Sequence, residues 1–120
     1  MNMRRSRSLL VGMAGAALVV GCSSSGLTSD ATVFGCIPGT DDAKPRATGE
    51  IANNSSKKSD FFIRIVFSDS SDNRVAEGVT TVTNVEPGTT SPWNIGALAD
   101  ANGPVTCEVE TVRRTVTAGS

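Results

Sequence analysis

The 120-residue chain has no histidine and no tyrosine, and only one tryptophan and four phenylalanines. Without an imidazole, Ser-His and Cys-His nucleophile pairs and His-ligated metal sites are excluded. So few aromatics leave the apolar complement mostly to Val and Ala. A domain of this size buries a thin core and gains from a covalent cross-link. No basic stretch is interleaved with aromatics, which argues against a nucleic-acid surface. No apolar run reaches the roughly 20 residues of a membrane-spanning helix. Beyond residue 21 no segment sustains helical periodicity, and there is no internal repeat.

Residues 1–8 carry Arg4, Arg5 and Arg7 and no acid, and residues 9–20 are all Leu, Val, Ala, Gly or Met. A basic start, a short apolar run and small residues at its end match a secretory signal. Arg4-Arg5 also suggests a twin-arginine signal, but Ser6, Arg7 and Ser8 follow where that signal needs apolar residues. The general secretion route is therefore expected. Taking residues 1–21 from 120 leaves 99, with 8 basic and 12 acidic side chains, a charge near −4. Mild acidity disfavours electrostatic adhesion to anionic lipid heads.

Val19-Val20-Gly21-Cys22 resembles the lipobox of bacterial lipoproteins. The resemblance implies cleavage after Gly21 and a diacylglycerol on the Cys22 thiol. Small side chains admit the scissile backbone to a membrane-embedded protease, and the thiol is the nucleophile that becomes a thioether. The competing reading is an ordinary signal peptide that happens to end near a cysteine. Two or more acyl chains anchor stably, at about 0.8 kcal/mol per buried CH₂. The chain is thus expected to be exported and held on the outer side of the bacterial cell membrane through Cys22. Ser23-Ser24-Ser25-Gly26 begins a small, polar tether over residues 22–32. A single domain is expected over 33–116, with a tail at 117–120.

Three cysteines leave one over in an exported protein. Lipid on Cys22 removes the oddity, and Cys36 and Cys107 are expected to form a disulfide in an oxidising compartment. In the chain-entropy account a loop of that length contributes about 4 kcal/mol. A metal or redox pair is the rival reading. It suffers from the absence of histidine and from a separation unlike Cys-x-x-Cys.

The strands follow from period-two patterning. Short strands are expected at 33–37 and at 48–52, with Ile51 inward. Residues 61–67 form the best strand, with Phe61, Ile63, Ile65 and Phe67 on one face. Asp69-Ser70-Ser71-Asp72-Asn73 reads as a hairpin turn. The return strand at 74–84 slips in phase near Gly78, which predicts a bulge there. Pro87-Gly88 occupies the centre of a type II turn. Residues 90–95 form a strand with Trp93 and Ile95 on one face and Pro92 marking an edge or the strand's start. Leu98 is expected to plug the core under the loop 96–104. The last strand, 105–116, points Val105, Cys107 and Val109 one way and then changes phase towards Val112. The prediction is all-β: a small antiparallel sandwich or barrel.

From Gly49 to about Val112 the chain resembles an FxLYD-type domain, a small immunoglobulin-like β-sandwich of secreted and lipid-anchored bacterial proteins. The residues that carry this are Gly49 and Ile51 before Asn53-Asn54-Ser55, the strand ending Ile65-Val66-Phe67-Ser68-Asp69, the Val-Thr-Asn-Val-Glu-Pro-Gly-Thr run at 82–89, and Trp93. Ile65, Phe67 and Ser68 stand where the family name has Phe, Leu and Tyr, and Asp69 is kept. The resemblance covers about half the chain. It implies an immunoglobulin-like sandwich and brings no catalytic residues.

Acidic groups remain as site candidates. Asp69, Asp72 and Glu77 lack the ligand spacing of a calcium loop and read as turn residues. Asp41-Asp42 reads as a solvated loop. Glu108 and Glu110 share a strand face about 7 Å apart, where a polar sheet face is the simpler account. Trp93 is a core residue or a binding anchor. Arg113-Arg114 marks a charged strand end or a contact with lipid or wall polymer. No cofactor or metal is expected. The function expected is a non-enzymatic, monomeric envelope module, anchored to the membrane through Cys22, that binds an envelope protein or a cell-wall component. The alternative is an accessory subunit or inhibitor that docks an envelope enzyme or transporter through the sheet edge at 90–95.

Overall fold

The computed structural model describes residues 26–119. The expected signal peptide and Cys22 lie outside the described residues. A 3-10 turn, Gly26–Asp30, leads into six strands: β1 Ala31–Ile37, β2 Arg46–Ala52, β3 Ser59–Ser68, β4 Arg74–Val85, β5 Thr90–Gly96 and β6 Thr106–Val116. They form two antiparallel sheets, β1-β2-β5 and β4-β3-β6. The protein is a small β-sandwich, as the patterning predicts.

The strand order follows from where the apolar residues alternate. In β3, Phe61, Ile63, Ile65 and Phe67 are fully buried on the inner face. Ala47 and Ile51 of β2, Trp93 and Ile95 of β5, and Ala76, Val85 and Val112 complete the core. Burying a side chain of Ile or Phe size contributes about 1.5–3 kcal/mol, so β3 is the largest single source of burial. β2 and β3 are consecutive but lie in different sheets, as are β5 and β6, while β2 pairs β5 and β3 pairs β6. Taking β1, β2 and β5 as A, B and E, and β4, β3 and β6 as C′, C and F, the order is that of an immunoglobulin sandwich. No seventh strand flanks β6 among the described residues.

Turn chemistry matches the sequence at both expected turns. Gly88 takes φ 75° and the Thr89 N–H donates to the Glu86 carbonyl, as a type II turn requires. In the β3–β4 hairpin Asp72 takes φ 63°. The Asp69 carboxylate accepts the N–H groups of Ser71 and Asn73. The change of phase in β6 is a bulge: Ile65 pairs Val109 while Arg64 pairs Thr111. Glu110 is the extra residue, so Val109 and Val112 both turn inward although three positions apart.

Three details differ from the sequence reading. Gly78 carries no bulge but pairs Ile65 in register. A Cβ there would stand 2.5 Å from the Gly96 carbonyl oxygen and 2.6 Å from Ile95 Cγ2, so the residue is small because the opposite sheet arrives close to it. The register shifts of β4 lie at its two ends instead. There Asn84, at φ 58°, gives its N–H to the Asp60 carboxylate. Leu98 is 65% exposed, and Ala97 is buried in its place. The Ala97 and Leu98 N–H groups bond to Pro45 and Glu77 carbonyls, which fixes the chain direction and turns consecutive side chains opposite ways. Lastly, β1 begins at Ala31 rather than 33, and residues 26–30 of the expected tether form the 3-10 turn. Leu27 and Ala31 pack against the core.

Gly49 supports a close approach from two sides. It pairs Val33 on one side and Trp93 on the other. An added Cβ would overlap the Thr32 carbonyl oxygen and the Trp93 ring. Gly49→Ala should therefore lower stability by about 1–3 kcal/mol or more. Gly96→Ala, where no atom lies within 4 Å of the new Cβ, should leave it nearly unchanged. Urea denaturation of the oxidised proteins measures both. Equal midpoints for the two variants would contradict the packing described.

Candidate functional site

Cys36 and Cys107 form the expected disulfide, with Cα atoms 5.6 Å apart and a sequence separation of 71. The bond joins β1 of one sheet to β6 of the other, each an edge strand. It therefore crosses the sandwich along one open side.

The acidic candidates do not converge. Asp69 spends its carboxylate on the amides of its own turn. These N–H donors, Asn73 first and Ser71 second, hold its pKa below the usual carboxylate range. Asp60 is held low likewise, by the Asn84 N–H and then by the Thr117 hydroxyl. Asp41 accepts a hydrogen bond of 2.7 Å from the Asn102 amide. Glu77 stands apart from Asp69 and Asp72, in a network on the outer face of β4-β3-β6. Arg64 Nη1 lies 3.0 Å from Glu77 Oε1, and Arg64 Nε lies 3.9 Å from Glu110. Arg74 pairs with Glu110 and lies 4.0 Å from Glu77.

Glu110 reaches this network from the outward face it shares with Glu108, ahead of the phase change that brings Val112 inward. Arg74 on β4 and Glu110 on β6 flank the central strand β3, so their contact passes over it. Arg74 pairs Ser68 and Glu110 stands beside Arg64 and Ile65. Val66 lies between, and it is buried although it belongs to the outer face. The aliphatic stems of charged side chains cover apolar surface in this way. Glu108 remains exposed on the same face. Beside the network Phe62 holds two guanidinium groups, Arg113 at 4.9 Å and Arg64 at 5.9 Å from its ring centroid. Arg114 donates to the Ser59 hydroxyl at 3.2 Å.

Trp93 is 4% exposed and belongs to the core; its indole N–H has no partner among the described residues. Outside it, on the β1-β2-β5 sheet, lies an open depression of about 390 Å³ bordered by Phe34, Thr48, Pro92 and Asn94. Phe34 is 66% exposed because the β1 bulge between Val33 and Gly35 turns it outward. The edge at 90–95 has Pro92 at its centre, paired with Glu50. Proline has no N–H to give an added strand, and edge prolines blunt such pairing.

Asn53, in the sequence only part of an Asn-Asn-Ser run, is fully buried. Its side-chain amide donates to the Lys57 and Val85 carbonyls, each at 2.8 Å. Its Oδ1 accepts from the Ser55 N–H and hydroxyl. Its backbone N–H and C=O bond to Thr89 and Gly88. Asn53 thus ties the loop after β2, the end of β4 and the turn before β5. The sequence signal is an Asn-Asn-Ser run directly after a strand whose last inward residue is Ile51.

Comparison of the chain with protein-family models, with curated proteins and with solved structures gives no match.

Two expectations follow. Reduction, or C36A/C107A, should lower stability by about 4 kcal/mol, read as a shift of the urea midpoint; an unchanged midpoint contradicts it. The lowered carboxyl pKa values of Asp60 and Asp69 give stability that is complete above about pH 4, the unfolded carboxylate range. It is lost as pH falls through their lower folded values. Asp69→Asn should flatten that acid limb between about pH 4 and 2, and an identical pH profile would rule the turn out as a contributor.

Proposed function

We propose that this chain is a lipid-anchored, non-enzymatic module of the bacterial cell envelope, holding one immunoglobulin-like sandwich on the outer side of the cell membrane to bind an envelope protein or wall component. The observation that carries the reading is the thiol partition. Cys36 and Cys107 are joined, which suits an oxidising compartment. That leaves the third cysteine, Cys22, directly after an apolar run that ends in Gly21. The A-B-E and C′-C-F strand order supports the FxLYD-type reading of residues 49–112. A binding role is supported by how the acidic side chains are used: Asp69, Asp41, Glu77 and Glu110 are engaged by the domain's own amides and guanidinium groups.

One observation favours the alternative of a sheet-edge docking module. β6 spans 11 residues and hydrogen-bonds only to β3 among the described strands. Its edge carries no proline and suits strand addition better than the proline-bearing edge of β5.

In cells, Cys22→Ala should abolish fatty-acid labelling and move the protein from the membrane fraction to the soluble fraction. Membrane retention of the unlabelled variant would defeat the anchor. A photocrosslinking side chain at Glu108 on β6 should capture an envelope protein where one at Glu50, on the other sheet, does not. Equal capture from both positions would count against the β6 edge.

A further inference from the structure

The two ends of the sandwich carry opposite charge. One end gathers the loops 38–45, 69–73 and 97–105, because β1, β3 and β5 finish there and β2, β4 and β6 begin there. Its loops hold Asp41, Asp42, Asp69, Asp72 and Asp100 against the single Lys44, which lies 3.9 Å from Asp100. Arg46 and Arg74 begin the strands beside it, one bonded to Asn94 and the other held in the Glu77–Glu110 network. The opposite end gathers the loop 53–58, the turn 86–89 and the close of β6. It carries Lys57, Lys58, Arg113 and Arg114 against Asp30, Asp60 and Glu86. Of these acids, Asp60 is turned onto Asn84 and Thr117, and Asp30 accepts from the Asn54 amide at 3.0 Å. Glu86 lies 3.8 Å from Lys58. Lys57, Arg113 and Arg114 are exposed.

The chain enters the domain at this basic end. The Asp30–Asn54 bond fixes the 3-10 turn to the loop 53–58, and the turn packs against β6 and β1. Cys22 is four residues before Gly26, a reach of at most about 14 Å. The 10-residue strand β3 is about 33 Å long. A lipid on Cys22 therefore meets the bilayer far from the acidic end.

We infer that the surface formed by Lys57, Lys58, Arg113 and Arg114 docks on anionic lipid headgroups of the membrane that holds the Cys22 lipid, orienting the sandwich with its acidic loops outward. The inference rests on the anchored reading proposed above. The end nearest the anchor carries four basic and three acidic groups, while the excess acid is at the far end. Each Lys or Arg near an anionic surface contributes roughly a fivefold bias, and salt screens it. The short link keeps these groups within reach of the headgroups.

The lysines supply the test. After residue 21 the chain has three, Lys44 at the acidic end and Lys57 and Lys58 at the basic end. The full lipidated protein is reconstituted in vesicles of phosphatidylcholine alone or with phosphatidylglycerol, treated with an amine-acylating reagent and read by peptide mass spectrometry. With phosphatidylglycerol, labelling of Lys57 and Lys58 should fall about fivefold or more relative to Lys44, and high salt should restore it. R113E/R114E should weaken the protection while leaving the lipid in place. Equal change at all three lysines, or stronger protection of Lys44, overturns the orientation. The intact mass of the same sample separates the two claims: a protein that carries lipid yet labels evenly defeats the docking surface alone, whereas a protein without lipid defeats the anchor and the docking together.

Discussion

The Cys36–Cys107 bond holds together what the two sheets by themselves leave open. β1 and β6 are edge strands of different sheets, so no ladder of backbone hydrogen bonds connects them. The disulfide makes that connection. The other open side is closed without covalent help, by the Leu98 N–H on the Glu77 carbonyl and by the close seating of Ile95 and Gly96 on Gly78. Asn53 then closes the basic end with its buried amide. A core with few aromatic side chains is thus bounded by three different kinds of tie, each at a place where packing alone is thin.

What was legible in the sequence was local. β3 could be read because its inward residues alternate without interruption, and the type II turn because Pro87-Gly88 satisfies its dihedral demands. The disulfide followed from the parity of the cysteines. The positions that misled were decided across the fold. Gly78 and Gly49 are small because another strand or ring approaches them, and nothing in the neighbouring sequence reports that approach. Asn53 looks like any turn asparagine until β4 and the turn 86–89 bring carbonyls and amides to it. For Trp93, alternation gives the face it occupies but not what covers that face. Net charge is silent for a similar reason: a single value says nothing of which loops share an end.

The outer face of β4-β3-β6 is also more self-contained than its composition suggests. Two arginines and two glutamates from three strands neutralise one another over Val66. Partly exposed pairs of this kind contribute little stability individually. Their effect here is to hide an apolar side chain at the middle of a sheet that would otherwise show it to solvent, and to fix the outward direction of Glu110 at the bulge.

The strand order has a temporal consequence. β2 pairs β1 at once but gains its second partner only when β5 has been delivered, and β3 gains its second only with β6, the last of the described strands. Pairings so distant in sequence close slowly, since chain entropy opposes them until both strands are present. A chain delivered N-terminus first presents Cys36 long before Cys107, so Cys36 waits without its native partner. The native pair can form only after most of the domain has emerged, whereas the β1–β2 and β3–β4 pairings join strands that are neighbours in sequence.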